Sequence, residues 1–320
     1  MADRMAFDDS IDDRVIYLAY RLILGRPPES DDAYAHYRAV SHVDQLRAIF
    51  AGSFEFRAQS WARLAEFRAS RFCAEYEADV AAGVRARGDD RIRIVQTADT
   101  QKYAEMLRQS ARTVFAFLRG RDIEYDSYLG IKRGAHPHHA TLNRIFILNE
   151  YLDLGYRGWV LYMDADAFIN DLNFDLRGFL ESNAHRALII APASGEPSNP
   201  FWNINAGVFF ANLGHPVCAE ILRLWKGFYD ALYASEDYER ALRWDDIIND
   251  QTSLHRILRF PALQPYVWSE PELIHLFNSG GARFIRQIVR RDHASADDGN
   301  FAWRLDAISR EAERVLGVGA

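Results

Sequence analysis

The first part of the chain carries apolar residues three or four positions apart, the spacing of one face of a helix. The first of these helices is expected to stop at Gly25, ahead of two prolines. A short, polar, glycine-bounded stretch at 83–90 then predicts a linker. Helices are predicted over 11–24, 30–39, 43–50 and 55–82.

From residue 91 onward, short apolar runs bounded by turn residues predict strands, and one helix is expected from an N-cap at Thr141 to Gly155. Alternation of strand and helix is typical of an α/β sheet with parallel strands, whose ligands bind beyond the carboxyl ends of the strands. We predict a helical domain over 1–85 and an α/β domain over 90–320. Strands are predicted over 91–97, 113–118, 159–163, 187–191 and 208–211.

The amino-acid composition and net charge limit the classes of binding partner that are expected. Half the residues are apolar (49%) and 26% are charged, so the chain can bury a large core. A formal charge of −7 gives no general attraction to phosphate backbones, and nucleic acid is not expected as a partner. Two cysteines, Cys73 and Cys218, are too few for a disulfide scaffold. With no leader pattern and no apolar run of about 20 residues, a soluble cytoplasmic protein is predicted.

The sharpest chemical signal is the run Trp159–Ile169, in which an apolar strand leads into two carboxylates, Asp164 and Asp166. Side chains alternate along an extended chain, so these two point the same way and can share one hard cation. Such an ion binds a diphosphate and offsets its charge as it leaves. The alternative is an acidic turn at a strand end.

Two further clusters carry polar side chains suited to hydroxyl-rich ligands. Asn205 lies in an Asn-x-Asn-Ala-Gly segment that opens a strand, and its alternative is a hairpin turn. Asp250 and Gln251 open a polar helix, where acidic residues are also ordinary. The His136–His139 cluster could hold a metal, although its proline favours a substrate-facing loop.

The order of these motifs, from Tyr-Met-Asp-Ala-Asp-Ala through Asn-x-Asn-Ala-Gly to Asn-Asp-Gln, resembles the retaining glycosyltransferases of the galactosyl/mannosyltransferase type and their glycogenin-like relatives. The resemblance covers about 91–285. It implies a GT-A (Rossmann-like nucleotide-diphospho-sugar transferase) domain, a metal on Asp164 and Asp166, and retention of anomeric configuration. The segments 24–28 and 50–56 are similar to a small helical domain of unknown function found on bacterial glycan-assembly proteins.

The same resemblance implies roles for other residues. It places the nucleotide base at the end of the first strand, at Thr97 and Asp99 with the following aromatic Tyr103, and a cation near the sugar and phosphates at Arg144. For Arg144 the alternative is an ordinary solvated helix arginine.

The resemblance also implies a histidine as the third metal ligand, near the end of the chain. His275 is preferred for this role, and His293 is the alternative, since the glycines after His275 come later than in the family pattern. A histidine beside two carboxylates favours Mn²⁺ over Mg²⁺.

These observations predict a metal-dependent retaining glycosyltransferase. It would move a hexose from a nucleoside diphosphate sugar to a hydroxyl group of a carbohydrate or glycolipid. UDP-hexose is the preferred donor, and GDP-mannose is the alternative. Peripheral contact with a membrane is compatible with this prediction. Asn205, Asp250 and Gln251 would orient the donor sugar and the acceptor. The alternatives are a catalytically silent glycan-binding or scaffold protein and a sugar nucleotidyltransferase. The latter calls for a glycine-rich phosphate loop, and no glycine lies between Gln96 and Lys102.

Overall fold

The computed structural model describes residues 11–84, 88–289 and 298–318. Contacts divide the chain into two compact units, Met1–Ala65 and Glu66–Ala320. The dividing line falls within a long helix, α4 (Phe54–Ala81), whereas the sequence predicted a linker at 83–90. Each unit is described by itself below.

In the described part of the first unit the regular elements are helical. A π-helical turn, Tyr20–Leu24, continues the first helix and ends at Gly25, whose φ of 73° is the left-handed conformation that glycine adopts readily. Tyr20 and Phe50 pack edge to face with centroids 4.8 Å apart, in a core that includes Ile16 and Leu46. The helices are α1 (Asp13–Ala19), α2 (Asp31–Tyr37), α3 (Val43–Gly52) and the start of α4.

The second unit is built on a mixed sheet of six strands. Their order is β2-β1-β3-β6-β5-β7; β1 runs parallel to β2 and β3, whereas β6 runs antiparallel to both β3 and β5. The middle of the sheet is covered on both faces, since every residue of β3 except its last is buried. The strands are β1 (Ile92–Ala98), β2 (Glu124–Leu129), β3 (Trp159–Asp164), β5 (Leu188–Pro192), β6 (Ile204–Asn212) and β7 (Val267–Trp268).

A smaller, three-stranded sheet has the order β4-β9-β8. Its strands are β4 (Ala167–Ile169), β8 (Phe277–Ser279) and β9 (Ile285–Gln287). Because β4 begins three residues after β3 ends, this sheet lies next to the carboxyl end of β3.

Helices complete the second unit. Two short 3-10 helices, Pro137–Leu142 and Pro261–Tyr266, join some of them. None of the helices in the described ranges has the length and apolar character needed to cross a bilayer. The helices are α5 (Ala104–Leu118), α6 (Asn143–Asp153), α7 (Leu176–Ser182), α8 (Pro216–Leu232), α9 (Ser235–Arg240), α10 (Asp250–Leu258), α11 (Leu273–Leu276) and α12 (Asp298–Leu316).

The α/β prediction is confirmed, with two corrections. The run 113–118, predicted as a strand, is the last part of α5, because Ser110, Val114 and Phe117 fall on one buried helical face. The strand predicted at 208–211 is the longer β6, and it is antiparallel to its neighbours rather than parallel.

Candidate active site

Three carboxylates and two arginines meet at the carboxyl end of β3. Asp164 is the last residue of that strand, and its Oδ1 accepts a hydrogen bond from Nη2 of Arg144 at 2.5 Å. Asp166 is ion-paired with Arg304, and Nη1 of Arg144 lies 3.2 Å from Oδ2 of Asp250. We refer to these five residues as the carboxylate cluster; its formal charge is one negative unit.

Gln287, at the end of β9, joins the two predicted metal ligands. Its Nε2 donates to Oδ1 of Asp166 at 2.9 Å and to Oδ2 of Asp164 at 3.3 Å. Its Oε1 is buried and has no hydrogen-bond partner. The amide lies against Gly207 of β6, where a Cβ atom would overlap it. The amide oxygen of Gln287 is therefore a buried acceptor that has no hydrogen-bond partner.

Arg144 is the organising cation of the cluster. It is 4% exposed, which excludes the alternative of a solvated helix arginine. Its Nε donates to the Thr141 carbonyl at 3.1 Å, its Nη1 donates to the Ala206 carbonyl, and its guanidinium lies 4.6 Å from the centroid of the Tyr162 ring. Burial lowers the pKa of Arg144, but Asp164 and Asp250 more than offset this, so the side chain stays charged.

Arg304, on α12, is a site residue that the sequence analysis missed. It is buried, its Nε donates to the Ile288 carbonyl at 3.0 Å, and its Nη1 donates to the Tyr103 hydroxyl at 3.3 Å. A signal was present in the sequence: Arg304 shares the helical spacing of Ile308 and Ala312, which are fully buried. An arginine within an apolar stripe implies a buried counter-charge.

Burial and neighbouring charges within the cluster shift the pKa values of its carboxyl groups. Burial raises the pKa of Asp164, Arg144 opposes the rise, and the neighbouring charge of Asp166 adds to it. Burial likewise raises the pKa of Asp250, again against Arg144. An additional cation at this point would relieve the same excess of negative charge.

The three predicted base-binding residues lie at the end of β1 and just after it, but they already have partners. The hydroxyl groups of Thr97 and Tyr162 lie 2.8 Å apart. The carboxylate of Asp99 accepts hydrogen bonds from three backbone N–H groups, those of Gln101, Lys102 and Tyr103, and so shapes the turn into α5.

Tyr103 is half-buried, and its ring packs edge to face on Phe301 of α12. Tyr103 contacts the cluster through Arg304, and Thr97 lies opposite Asp164 in the pairing of β1 with β3.

The two polar clusters around β6 and α10 lie at the same edge of the sheet as Asp164. Arg144 contacts Asp164, Asp250 and the carbonyl of Ala206. The Oδ1 atom of Asn205 accepts from the Gly207 N–H at 3.0 Å, and Oε1 of Gln251 accepts from the Ala206 N–H at 3.1 Å. Asn278 of β8 donates to the Asn205 carbonyl at 2.7 Å, and its own Oδ1 is buried without a partner. Asn278 has a φ of 68°, rare for a residue other than glycine.

The structure does not bring His275 to the carboxylates. In the described ranges no group of three or more His, Cys, Asp and Glu side chains is arranged to hold a metal. His275 lies in α11 instead of at a strand end, and its side chain is exposed while Leu273 takes the buried position. Asn278 and Gln287 come close to the site in its place. His293, the alternative ligand, lies outside the described residues.

Comparisons with known proteins give a weak likeness. No family model matches the chain, and no curated protein matches it. One similar solved structure is a glycosyltransferase involved in glycosylation of the major capsid of PBCV-1, with 14% identity and a TM-score of 0.47 over 69% of this chain and 99% of that chain. Another is the WbbM bifunctional glycosyltransferase, with 11% identity and a TM-score of 0.35 over 70% of this chain and 45% of that chain. At these scores the likeness carries no information on substrate or mechanism.

Proposed function

We propose that this chain is a metal-dependent glycosyltransferase that moves a hexose from a nucleoside diphosphate sugar to a glycan hydroxyl. The observation that carries the proposal is the carboxylate cluster, in which three buried or half-buried carboxylates face two buried arginines at the carboxyl end of β3. This edge is where α/β sheets bind their ligands. The mixture of charges suits a diphosphate bound together with a cation.

The residues present fit a hard divalent cation. Asp164 and Asp166 would supply carboxylate oxygens to the ion, and the unpartnered Oε1 of Gln287 would supply a third oxygen if the amide were turned over. Oxygen donors of this kind suit Mg²⁺ and Mn²⁺. Among the described residues no histidine joins these oxygens, so Mn²⁺ and Mg²⁺ are both proposed. When bound, the ion offsets the charge on the departing diphosphate.

The protein's own side chains provide the rest of the chemistry. Arg144 and Arg304 are buried cations of the cluster that would stabilise negative charge on the leaving group. Tyr103 provides an aromatic surface for the base beside Arg304. Asp250 is linked to Asp164 through Arg144, so a sugar held at Asp250 lies next to the phosphates. Gln251 and Asn205 shape the adjoining backbone.

We favour UDP-hexose over GDP-mannose as donor, and retention of anomeric configuration. Asp250, the carboxylate nearest the proposed sugar position, is ion-paired with Arg144, which lowers its nucleophilicity, and we favour a mechanism without a covalent nucleophile. Attack of the acceptor on the face that the diphosphate leaves, with a phosphate oxygen taking the proton, needs no such nucleophile.

A screen of nucleoside diphosphate sugars tests the function. Purified protein is incubated with each donor in Mn²⁺ or Mg²⁺, and release of the nucleoside diphosphate is measured with and without a chelator. We expect release from one donor that requires the divalent ion. Donor binding without turnover would indicate the silent scaffold, and release of pyrophosphate from a sugar phosphate and a nucleoside triphosphate would indicate the nucleotidyltransferase.

A further inference from the structure

The outward side of the first helix exposes large apolar side chains to water. Along α1 and the π-helical turn that continues it, positions 14, 17, 18, 21 and 22 are three or four residues apart, and all five are exposed. The exposed fraction is 41% for Tyr17, 43% for Leu18 and 80% for Leu22. We refer to these five residues as the α1 surface: Arg14, Tyr17, Leu18, Arg21 and Leu22.

The opposite side of the same helix already belongs to the core of the first unit. Ile16, Tyr20 and Leu24 are buried there. A surface helix of a globular protein carries an apolar stripe toward the core and polar residues on its other side, whereas a helix that is apolar on both sides is usually covered on both. Packing within the first unit therefore does not account for the three apolar side chains of the α1 surface.

The two arginines of the α1 surface carry positive charge that no acidic side chain offsets. In the described part of the chain, neither Arg14 nor Arg21 has a carboxylate within ion-pair distance. The acids at the start of the helix have other partners: Asp13 is ion-paired with Arg38, and the Asp12 carboxylate caps the helix backbone. Positive charge beside exposed apolar side chains is complementary to a surface with an apolar interior and anionic groups at its boundary.

The net charge of −7 does not cancel this local attraction. Exposed charges that are separated by more than about 8 Å are largely screened at physiological ionic strength. The charges that matter most for docking are therefore those on the docking surface itself. The α1 surface has two positive side chains and no negative one.

The size and charge of the α1 surface distinguish between classes of partner. From Arg14 to Leu22 the helix rises only about 12 Å. A specific protein interface buries about 800 Å² on each partner, which is more than this short stretch of helix offers. A second copy of the chain is also disfavoured, because two-fold pairing of the surface would bring its arginines together with no acid between them. A lipid bilayer meets neither obstacle.

We propose that the α1 surface is a peripheral docking site for a membrane that contains anionic lipids. Leu18 and Leu22 enter the boundary between headgroups and acyl chains, and Tyr17 keeps its hydroxyl at the level of the headgroups. The two arginines contact lipid phosphates while their aliphatic stems lie along the apolar layer. This inference concerns the first unit and does not depend on the proposed transfer reaction.

Flotation of the full chain with lipid vesicles tests the proposal. The vesicles contain either phosphatidylcholine alone or phosphatidylcholine with about one third phosphatidylglycerol. We expect binding to the anionic vesicles, at least about tenfold weaker binding to the neutral ones, and a loss of binding as salt is added. Equal binding to both kinds of vesicle, or no binding to the anionic ones, would overturn the proposal.

Two double variants separate the apolar contribution from the charged one. Leu18→Ser combined with Leu22→Ser should weaken binding to anionic vesicles by at least about tenfold. Arg14→Gln combined with Arg21→Gln should have an effect of similar size on anionic vesicles and little effect on neutral ones. All four side chains are exposed, so circular dichroism should stay close to that of the wild type. If either double variant bound anionic vesicles as well as the wild type, the α1 surface would not be the docking site.

Matched controls come from exposed residues of the second unit. Leu154 is 83% exposed, and Arg310 is exposed in a pair with Asp306. Leu154→Ser and Arg310→Gln should therefore bind vesicles like the wild type. Losses as large as those of the double variants would contradict the assignment to α1.

Two further measurements distinguish this proposal from its alternatives. Sedimentation velocity without lipid should show no dimer that the double leucine variant removes, and such a dimer would make the α1 surface a contact between copies instead. Release of nucleoside diphosphate in solution should be the same in all these variants, because none of them changes the carboxylate cluster. Failure of vesicle binding would thus leave the proposed transferase standing, and failure of turnover would leave the membrane result standing.

Discussion

The carboxylate cluster and the neighbouring histidines His138 and His139 treat their buried polar atoms in opposite ways. In the cluster every charged side chain has an opposite charge within ion-pair distance. In the two histidines Nε2 is buried and has no partner among the described residues. A buried unpaired charge costs far more than a buried unpaired neutral group, which costs about 1 to 3 kcal/mol. The protein therefore pairs the buried groups that are charged and tolerates unpaired ones that are neutral.

This difference predicts how the cluster accepts a ligand. A cation or diphosphate must share or replace ion pairs that already exist at Asp164 and Asp166, so binding there involves rearrangement of Arg304 and Gln287. Four experiments test this contrast between paired charges and unpaired neutral groups.

The largest effect is expected from Asp166→Asn. The change removes one charge at nearly constant volume, and the asparagine oxygen can still accept a hydrogen bond from Arg304. Transfer should fall by at least about 100-fold, while the far-ultraviolet circular dichroism stays close to that of the wild type. The unfolding midpoint should fall, because the buried Arg304 loses its counter-charge. Asp306→Asn, at an exposed i,i+4 pair with Arg310, is the control. Near-normal turnover at saturating Mn²⁺ would show that Asp166 is not a metal ligand.

Arg304→Ala tests the counter-ion. Removing one partner of a buried pair should lower the free energy of unfolding by about 3 kcal/mol without divalent ions, because Asp166 then lacks its cation. Mn²⁺ should recover part of this loss, and denaturant titrations with and without Mn²⁺ measure it. Arg310→Ala, whose pair is exposed, should cost less than about 0.5 kcal/mol. A loss that Mn²⁺ does not affect would mean that the ion does not bind at Asp166.

Gln287→Ala and His275→Ala compare the observed neighbour of the carboxylates with the predicted one. Loss of a group from the coordination environment should weaken Mn²⁺ by about tenfold in Gln287→Ala, measured by electron paramagnetic resonance of free Mn²⁺. His275→Ala should be nearly silent, because that side chain is exposed. The reverse ranking would restore the histidine ligand. His293→Ala tests the alternative histidine ligand by the same measurement.

The smallest effect concerns pH and His139. Its pKa is lowered from 6.5 to about 4 in the folded protein, by burial and by His138 and His136, beside the uncharged ring of Tyr238. As pH falls, the unfolded chain takes up this proton first, so stability present above pH 6.5 is lost toward pH 4. The slope should be at most about 1.4 kcal/mol per pH unit for this group. His139→Gln should flatten the stability curve in that window, and an unchanged slope would contradict the assignment.

The sequence predicted the parts of the fold that have a local pattern. The strands around Asp164 and the helices of the first unit follow from apolar spacing, and the run at 159–163 was found to within one residue. The edge strand β2 was missed because its residues are mostly half-buried or exposed and lack a clear alternation. The run at 113–118 was misassigned because β-branched and aromatic residues also occur on the buried face of a helix.

The site residues also divide into those that a local sequence pattern predicts and those that it does not. Asp164 and Asp166 were visible because two like charges follow an apolar strand. Gln287 and Arg304 were not found, since they reach the carboxylates from β9 and α12, more than 100 residues away along the chain. Only the tertiary fold brings them together. Arg304 carried a usable sequence signal, its place in an apolar stripe, whereas no local feature marks Gln287.

The reversal of β6 has a consequence for the order in which the protein folds. Because β6 pairs antiparallel with β3, its first residues, and not its last, meet the carboxyl end of that strand, with Val208 opposite Met163. The edge thus collects segments from β1, β3, β6, α10, β9 and α12, and each closing contact spans a long loop of chain. Such non-local pairings form slowly. Refolding protein should regain its helices well before it regains the ability to bind a ligand, and a ligand of the cluster will bind only the fully assembled chain.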